Sequence, residues 1–448
     1  MAPVMNSTSE VEKYLKSLKG KSVDASIDSL ISLFKRRQIA GSEPCAMATA
    51  HILLQVVAKT KFRDVDHMLE TVRQVGCKLV AAQPKELVVA NIVRRVLGLI
   101  RDEASEQRNE GTDDDASPEE PFPPAADAPE PSEAPSTKYD GSTDYLHSGP
   151  RHVRLGALMS VGSFPASKTL LSLLEASPPG HPSLSPLAKD SGTSTPRLGH
   201  QNARISAIRA EIIDGIEEIK DEISQVDDQI ASSADVQIRP LDYVLVYQPS
   251  HTVQKFLLRA ATKRRFTVVI AVDPRLASSP REVPGEVPFA SFRKKLQAAG
   301  VASMNIMNIG QAAHMPRISK VVLSARCVLA NGGVVTDAGA GHVARAAKEK
   351  GCPVIVLSGV YELSPESSME EDELVEWGGA MGHAGFSDGL FVKGAQLQGA
   401  VTELIQPELV DSYITNLGIH SRNHLTTIVA DHYKAEDVDF QLWGDAER

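Results

Sequence analysis

The sequence lacks the features that mark most metal, redox and membrane proteins. Its 448 residues include only four cysteines, and none of them forms a Cys-x-x-Cys pair, so neither a zinc knuckle nor thioredoxin-like chemistry is supported. No run of about 18 apolar residues occurs, which excludes a membrane-spanning helix. The polar N-terminus lacks the apolar core of a signal peptide. We therefore expect a soluble, cytosolic protein with reduced thiols.

The chain also lacks a broad basic stripe. Its formal net charge is −10, and residues 102–144 alone contain 14 Asp and Glu against two basic residues, a net charge of −12. The rest of the chain is then close to neutral, at +2. Binding to a phosphate backbone requires many clustered cations, so we expect no nucleic-acid partner. This balance excludes a broad stripe but not a local basic patch.

The first hundred residues show the apolar spacing of amphipathic helices. Ile27, Leu30, Ile31 and Phe34 follow the i, i+3, i+4, i+7 pattern of one helix face. The spacing predicts helices over residues 24–34, 46–59, 65–80 and 87–100. We therefore predict a helical N-terminal domain over residues 1–101.

A long insertion is predicted next, over residues 102–202. It is acidic and rich in proline, with a short apolar island at residues 153–174 and a second Pro/Ser/Gly-rich stretch after it. Such a composition buries too little apolar surface to offset the entropy of ordering, so we predict that most of it is disordered. A connecting helix with an isoleucine stripe follows over residues 203–238.

From residue 239 to residue 448, continuous apolar strands alternate with helices. This alternation is typical of a parallel sheet covered on both faces and predicts a Rossmann-like, doubly wound α/β domain. Ligands of such sheets lie beyond the carboxyl ends of the strands. Three loops are expected at that edge: Gln248–His251, Asp273–Arg275 and Asn331–Gly341.

The third of these loops is rich in glycine, follows a predicted strand and opens a predicted helix. Backbone amides in that position suit a phosphate. The candidates for a vestigial phosphate loop are Asn331, Gly332, Gly333, Gly339 and Gly341. Gly339-x-Gly341-x-x-Ala344 matches a dinucleotide fingerprint only in outline, and the acid that it would need, Glu362, follows another predicted strand. Neither a P-loop nor a Gly-x-Ser-x-Gly elbow occurs.

Metal chemistry finds little support in the sequence. His420 and His424 are spaced by four, but the glutamate of His-Glu-x-x-His is missing. The acidic run over residues 366–373 is more typical of a solvated loop than of a metal cluster. We therefore predict no metal and no cofactor.

Several segments carry a resemblance to a known family. Residues 325–334 (A-R-C-V-L-A-N-G-G-V), 346–348 and 352–356 resemble the core of the family that contains the alpha, beta and delta subunits of eukaryotic translation initiation factor 2B. The same family includes the methylthioribose-1-phosphate and ribose-1,5-bisphosphate isomerases. The stretches Gln406–Gly418 and Tyr361–Pro365 are similar to its beta branch in particular. The resemblance covers residues 203–440 well and the N-terminal helices loosely.

Two positions distinguish the isomerases from the regulatory subunits within this resemblance. The isomerases use an aspartate where this chain has Arg326, and a cysteine where it has Gln248. Isomerisation requires an acid and a base to move protons between adjacent carbons. Arginine stays protonated at neutral pH and glutamine does not titrate, so both working groups would be missing.

The resemblance implies a non-catalytic regulatory subunit of the guanine-nucleotide exchange factor for initiation factor 2, acting in translational control and the integrated stress response. It implies delta as the direct pair, alpha, gamma and epsilon as further subunits, and the alpha subunit of initiation factor 2 as the phosphorylated partner that is sensed. Two alternatives stay open: a sugar-phosphate isomerase, and a loop over residues 332–341 that senses a phosphate or nucleotide without chemistry.

Overall fold

The computed structural model describes residues 7–18, 20–113, 196–273, 288–307, 310–366, 374–378 and 398–438. These residues belong to one compact unit. Most of the predicted insertion, including its island at 153–174, lies outside the described residues, as do Pro274, Arg275 and most of the acidic run at 366–373. Within the described ranges, no helix is long and apolar enough to cross a bilayer.

Helices form the N-terminal part, as the apolar spacing predicts. The side chains of Ser22 and Asp64 cap two of them by accepting backbone amides in the first turn. The last helix continues past residue 101, where the predicted helical domain ended, because the Glu, Gln, Ala and Arg residues that follow have good helix propensity. The helices are α1 Ser7–Ser17, α2 Val23–Lys35, α3 Ser42–Lys59, α4 Val65–Ala82 and α5 Leu87–Asp113.

A long helix connects this part to the sheet. It is α6, Pro196–Ser232, followed by the short α7, Ala234–Gln237. The predicted isoleucine stripe is buried from Ile208 to Ile223, where α6 packs against α3 and α5. The helix begins at Pro196, whereas the sequence predicted a start at residue 203.

The C-terminal part alternates strands and helices. The helices are α8 His251–Ala261, α9 Ala290–Ala298, α10 Gln311–His314, α11 Ala340–Glu349, α12 Arg422–His432 and α13 Ala435–Val438. The strands are β1 Tyr243–Tyr247, β2 Thr267–Val272, β3 Ala302–Met307, β4 Lys320–Ser324, β5 Cys327–Leu329, β6 Val334–Asp337, β7 Val354–Leu357, β8 Leu363–Ser364, β9 Trp377–Gly378, β10 Gly399–Ala400, β11 Thr402–Ile405, β12 Ser412–Thr415 and β13 Gly418–His420.

The main sheet has the order β13-β12-β7-β4-β1-β2-β3. Every neighbouring pair in it is parallel except β12 with β13. The six parallel strands thus follow the doubly wound Rossmann order, which reverses between β1 and β4. This confirms the predicted fold class, a helical N-terminal region followed by a Rossmann-like α/β region.

A second sheet interrupts the predicted glycine-rich loop. Its order is β11-β6-β5-β8, and β6 pairs antiparallel with both β5 and β11. The prediction of one continuous loop from Asn331 to Gly341 is therefore wrong, because Val334, Val335 and Thr336 form a strand. Two of these residues are β-branched valines and the third is threonine, a composition that favours a pleated, half-buried surface.

The helices and one face of the main sheet share a hydrophobic core. It contains Phe34 and Leu97 from the helices, Ile216 from α6, and Phe256 and Ile270 from the α/β part. A close helix crossing supports it, since a Cβ on Gly215 would lie 2.5 Å from a methyl group of Leu99. The predicted domain limits at residues 101, 202 and 238 stay predictions, but the described helices and sheet are packed together.

Candidate functional site

Gln248 and Arg326 lie at the same edge of the main sheet. They follow β1 and β4, which are parallel neighbours at the point where the strand order reverses. Such a switch point forms the ligand crevice of open α/β sheets. The fold therefore brings together the two positions at which the resemblance to the isomerases places a cysteine and an aspartate.

Gln248 ties two strand ends together. Its side chain is buried, and Nε2 donates a hydrogen bond to the backbone oxygen of Asp273 at 2.9 Å. Its backbone adopts a left-handed φ of 41°, a conformation that costs a non-glycine residue free energy. A buried amide with these contacts holds the ends of β1 and β2 in place and cannot act as an acid or base.

Arg326 joins the N-terminal helices to the second sheet. Its Nε and Nη2 donate to Oδ1 of Asp337 at 3.0 and 2.8 Å, and its Nη1 lies 3.4 Å from Oε1 of Glu86. Burial acts to lower the pKa of Arg326, but the two carboxylates hold it above its ordinary value. Burial raises the pKa of Glu86, whereas the charge of Arg326 acts to lower it. The guanidinium stays charged and bridges two acids.

Asn331, Gly332 and Gly333 form the turn between β5 and β6. The side-chain oxygen of Asn331 accepts the Gly333 amide at 2.7 Å, and the Gly332 carbonyl accepts the Tyr413 hydroxyl at 2.6 Å. Arg422 Nε donates to the Asn331 carbonyl at 2.9 Å. The turn is therefore held by groups from β12 and α12.

The same turn packs against the Pro407 segment. Gly332 has a φ of +89°, and a Cβ there would lie 2.9 Å from Cγ of Arg422, 3.0 Å from the Tyr413 hydroxyl and 3.2 Å from Cβ of Pro407. Two of the segments that carry the family resemblance, around Asn331 and around Pro407, are thus in direct contact. Only glycine fits between them at this φ.

Gly339 and Gly341 lie at the N-terminus of α11, and a carboxylate of the chain binds their amides. Oε1 of Glu403 on β11 accepts the Gly339 amide at 2.9 Å and also accepts the Gly341 amide. The amides that the sequence proposed for a phosphate therefore already hold an anionic group. Helix N-termini favour negative charge, and Glu403 supplies it.

The five phosphate-loop candidates do not converge on one point. The Asn331–Gly333 turn and the Gly339–Gly341 segment lie at opposite ends of β6, which is four residues long, or about 13 Å at the usual rise of a strand. The sequence could not show this separation, because it gave no sign of β6 within the loop. The position of Glu403 was equally hidden, since it comes from a strand more than sixty residues away.

Glu362 is buried at the end of a short 3-10 helix, Val360–Glu362. Its Oε2 accepts the Gly359 amide at 2.9 Å and the Ser358 hydroxyl at 3.2 Å. Burial raises the pKa of Glu362 to about 7, although hydrogen bonds from Ser42, Gly359 and Ser358 lower it. These contacts give Glu362 a local capping role, with no dinucleotide geometry around it.

A cluster that the sequence did not suggest lies close to this buried acid. Glu43, Asp227 and His251 come from α3, α6 and α8, and their possible ligand atoms all lie within 4.8 Å of one another. His251 Nδ1 is 2.7 Å from Asp227, and that hydrogen bond raises the pKa of His251. Lys255 lies 3.8 Å from the same carboxylate, so the cluster already contains its own counter-charge.

The two histidines at 420 and 424 do not share a helix. His420 ends β13, and its Nε2 lies 2.8 Å from the Thr415 hydroxyl. Its Nδ1 lies 3.0 Å from Nδ1 of His424 on α12. Burial lowers the pKa of His420, and the neighbouring His424 lowers that pKa further. The pair forms a hydrogen-bonded contact between a strand and a helix, and its Nδ1 atoms face each other.

The fold and the residues at the carboxyl edge of the main sheet together define a class of protein. The chain is a Rossmann-like α/β protein with an N-terminal helical region. Near its switch point lie the buried Gln248, an ion-paired Arg326 and a helix N-terminus whose amides bind Glu403. The chain belongs to the initiation factor 2 subunit family, whose sequence model matches residues 38–422.

Named relatives are similar over nearly the whole chain. The translation initiation factor eIF2B subunit beta of Schizosaccharomyces pombe is 31% identical over 92% of this chain and 96% of its own length. The crystal structure of eIF2B beta from Chaetomium thermophilum shares 37% identity and superposes with a TM-score of 0.61, covering 95% of this chain and 96% of that one.

A chain from the structure of a larger assembly is also similar to this chain. A chain in the tetrameric eIF2B-beta2-delta2 complex from C. thermophilum shares 38% identity with this chain, with a TM-score of 0.63 over 94% of this chain and 99% of that chain. The crystal structure of eIF2B delta from the same organism shares only 14% identity, with a TM-score of 0.51, and so supports the fold alone.

Proposed function

We propose that this chain is a non-catalytic, beta-type regulatory subunit of the eIF2B guanine-nucleotide exchange factor. The observation that carries the proposal is the similarity along nearly the whole chain to proteins named eIF2B subunit beta. The site supports it, because Arg326 is held between two carboxylates and Gln248 does not titrate. A group that must move protons between carbons needs to exchange them near neutral pH.

The direct partner is a delta-type subunit. Support comes from the similarity to a chain of the beta2-delta2 tetramer, since chains of one fold and family tend to assemble through related surfaces. Alpha-, gamma- and epsilon-type subunits complete the exchange factor. The assembly acts in the cytosol and binds translation initiation factor 2, and this chain helps to sense phosphorylation of its alpha subunit.

Co-expression with a delta-type subunit tests the pairing. The two full chains are expressed together with a tag on only one of them, and the purified material is weighed by native mass spectrometry. We expect a complex with two copies of each chain. Recovery of the tagged chain alone, as a folded monomer or homodimer, would contradict the pairing. Adding gamma- and epsilon-type subunits then measures whether nucleotide exchange on initiation factor 2 responds to phosphorylation of its alpha subunit.

We further propose that the turn at Asn331–Gly333 and the segment at Gly339–Gly341 are structural. Their polar groups are engaged by Tyr413, Arg422 and Glu403. The isomerase alternative predicts turnover of methylthioribose-1-phosphate or ribose-1,5-bisphosphate that is lost on changing Gln248 or Arg326. We expect no turnover of either substrate by the full chain or by its complex with the delta-type subunit.

A further inference from the structure

One segment of the α/β part of the chain is strongly basic. Residues 239–320 contain thirteen Lys and Arg against four Asp and Glu, a net charge of +9 in a chain whose total is −10. The remainder of the chain therefore carries −19. A local field of this kind steers association with oppositely charged partners. The near-neutral average outside the acidic insertion conceals this segment.

The fold gathers part of this charge on two neighbouring helices and on the loops beside them. α8 and α9 are consecutive crossover helices that contact each other over β1, β2 and β3. The loop between α8 and β2 is tied to the end of α9, because Arg265 donates to the Ala299 carbonyl. We call the resulting surface the basic face. It is formed by Arg259 of α8, Lys295 of α9, and Arg239, Arg264 and Arg265 of the loops beside them.

Few carboxylates neutralise the basic face. Asp235 pairs with Lys263. That contact lowers the pKa of Asp235, and the nearby charges of Arg259 and Arg264 lower it further. Among the described residues, neither Arg239 nor Arg259 has a carboxylate within ion-pair distance. A second acid, Asp242, accepts the Arg239 amide at 2.8 Å and pairs with Lys320. Two acids thus lie among a larger number of cations, which leaves the surface positive.

Exposed apolar side chains border the basic face. Leu241 is 82% exposed and has a left-handed φ of +68°, and its amide donates to the Arg265 carbonyl at 2.8 Å. Val236 is 73% exposed and Tyr243 is 41% exposed. An exposed leucine in a disfavoured backbone conformation contributes little to folding, whereas apolar residues beside charges are typical of a protein contact.

We propose that the basic face docks an acidic, leucine-containing segment of a partner protein. Carboxylates of the segment pair with the arginines at the end of α8, and its aliphatic side chains pack on Leu241 and Val236. A polypeptide fits better than single-stranded RNA, because RNA recognition uses exposed aromatic rings for stacking and Tyr243 is the one partly exposed aromatic residue beside this face within the described ranges. The inference is independent of the proposed exchange-factor role.

Peptide binding to the full chain tests the proposal. The probe is a fluorescein-labelled 20-residue peptide of Glu interspersed with Leu, and fluorescence anisotropy is measured at two salt concentrations. We expect binding at low salt that weakens as salt rises, since the charges are exposed and screened. The triple variant R239E/R259E/K295E should weaken binding at least about tenfold, because it reverses three charges on the contact.

Matched controls separate this face from general charge effects. The variant K35E/K61E/K350E reverses the same number of exposed positive charges, on lysines outside residues 239–320, and should alter binding less than twofold. A peptide with Gln in place of Glu should not bind. Equal loss in the control variant, or absence of peptide binding at low salt, would overturn the proposal. Tighter binding of a 20-nucleotide oligouridine, with the same sensitivity to R239E/R259E/K295E, would assign the face to RNA and overturn it as well.

Discussion

Glu403 accepts the backbone amide of Gly339 at a distance of 2.9 Å, at the N-terminus of α11. The carboxylate also accepts the amide of Gly341. A residue of β11, in the second sheet, thus closes a site that the sequence alone suggested for a phosphate. An external anion can reach these amides only by displacing Glu403, so the geometry favours a structural use of the helix end.

Replacing Glu403 tests this reading. Glu403→Ala leaves two amides without an acceptor and removes a favourable charge at the helix end, so we expect a loss of about 1–3 kcal/mol of unfolding free energy. Glu403→Gln retains a side-chain oxygen and should lose less. Urea unfolding of the two variants measures the difference. Equal stability of all three proteins would contradict a structural role.

The same variants show whether the amides can bind an external anion. Inorganic phosphate should raise the melting temperature of Glu403→Ala more than that of the unchanged chain, because only the variant exposes the helix N-terminus. Glu403→Gln serves as the control, since its side chain still fills the position. Equal stabilisation of all three by phosphate would indicate a site elsewhere.

Arg326 provides a second test, directed at the position that the resemblance assigns to an isomerase aspartate. Arg326→Ala leaves Glu86 and Asp337 close together without their counter-charge, and we expect a cost of about 2–4 kcal/mol. The double variant Arg326→Ala with Glu86→Gln should be less unstable than the sum of the single changes, because each alone disrupts one shared contact. Additive effects in urea unfolding would show that the two residues act separately.

Much of the fold could be predicted from local patterns. Apolar spacing placed α2 to α5, and continuous apolar runs predicted the alternation of strands and helices from residue 239 onward. The site was harder to predict, because its contacts join distant segments. Glu403 meets Gly339, and Glu86 meets Arg326 across 240 positions. β6 was missed since its neighbours Asn331 and Gly339 both favour turns, which concealed a short strand between them.

The buried carboxyl of Glu362 predicts a pH dependence of stability. Burial raises its pKa from 4.5 to about 7, so the folded chain binds the proton more tightly than the unfolded chain. The stabilising contribution is complete below pH 4.5 and is lost as the pH rises through 7. Glu362→Gln removes this titration and keeps an oxygen for Gly359 and Ser358. At pH 8 we expect the variant to be more stable than the unchanged chain by on the order of 2 kcal/mol.

Melting temperatures measured from pH 5 to pH 8 check this prediction. The difference in melting temperature between the variant and the unchanged chain should grow with pH and follow the titration of a single group. His51 titrates in the opposite sense, since burial lowers its pKa to about 4, but it is present in both proteins and cancels in the comparison. A difference that stays constant with pH would show that Glu362 is ionised in the folded chain throughout.

Gly332 allows the contact between the Asn331 turn and the Pro407 segment to be measured separately from backbone strain. Both Gly332 and Gly351 have positive φ, at +89° and +67°, but a Cβ on Gly351 would meet no atom within 4 Å. Gly351→Ala should therefore cost about 1 kcal/mol, from the left-handed conformation alone. Gly332→Ala must also displace the Tyr413 hydroxyl or Arg422, so its cost should be about 2–4 kcal/mol. Equal costs in urea unfolding would show that the turn is not tightly packed, and the proposed structural role of Asn331–Gly333 would then fail.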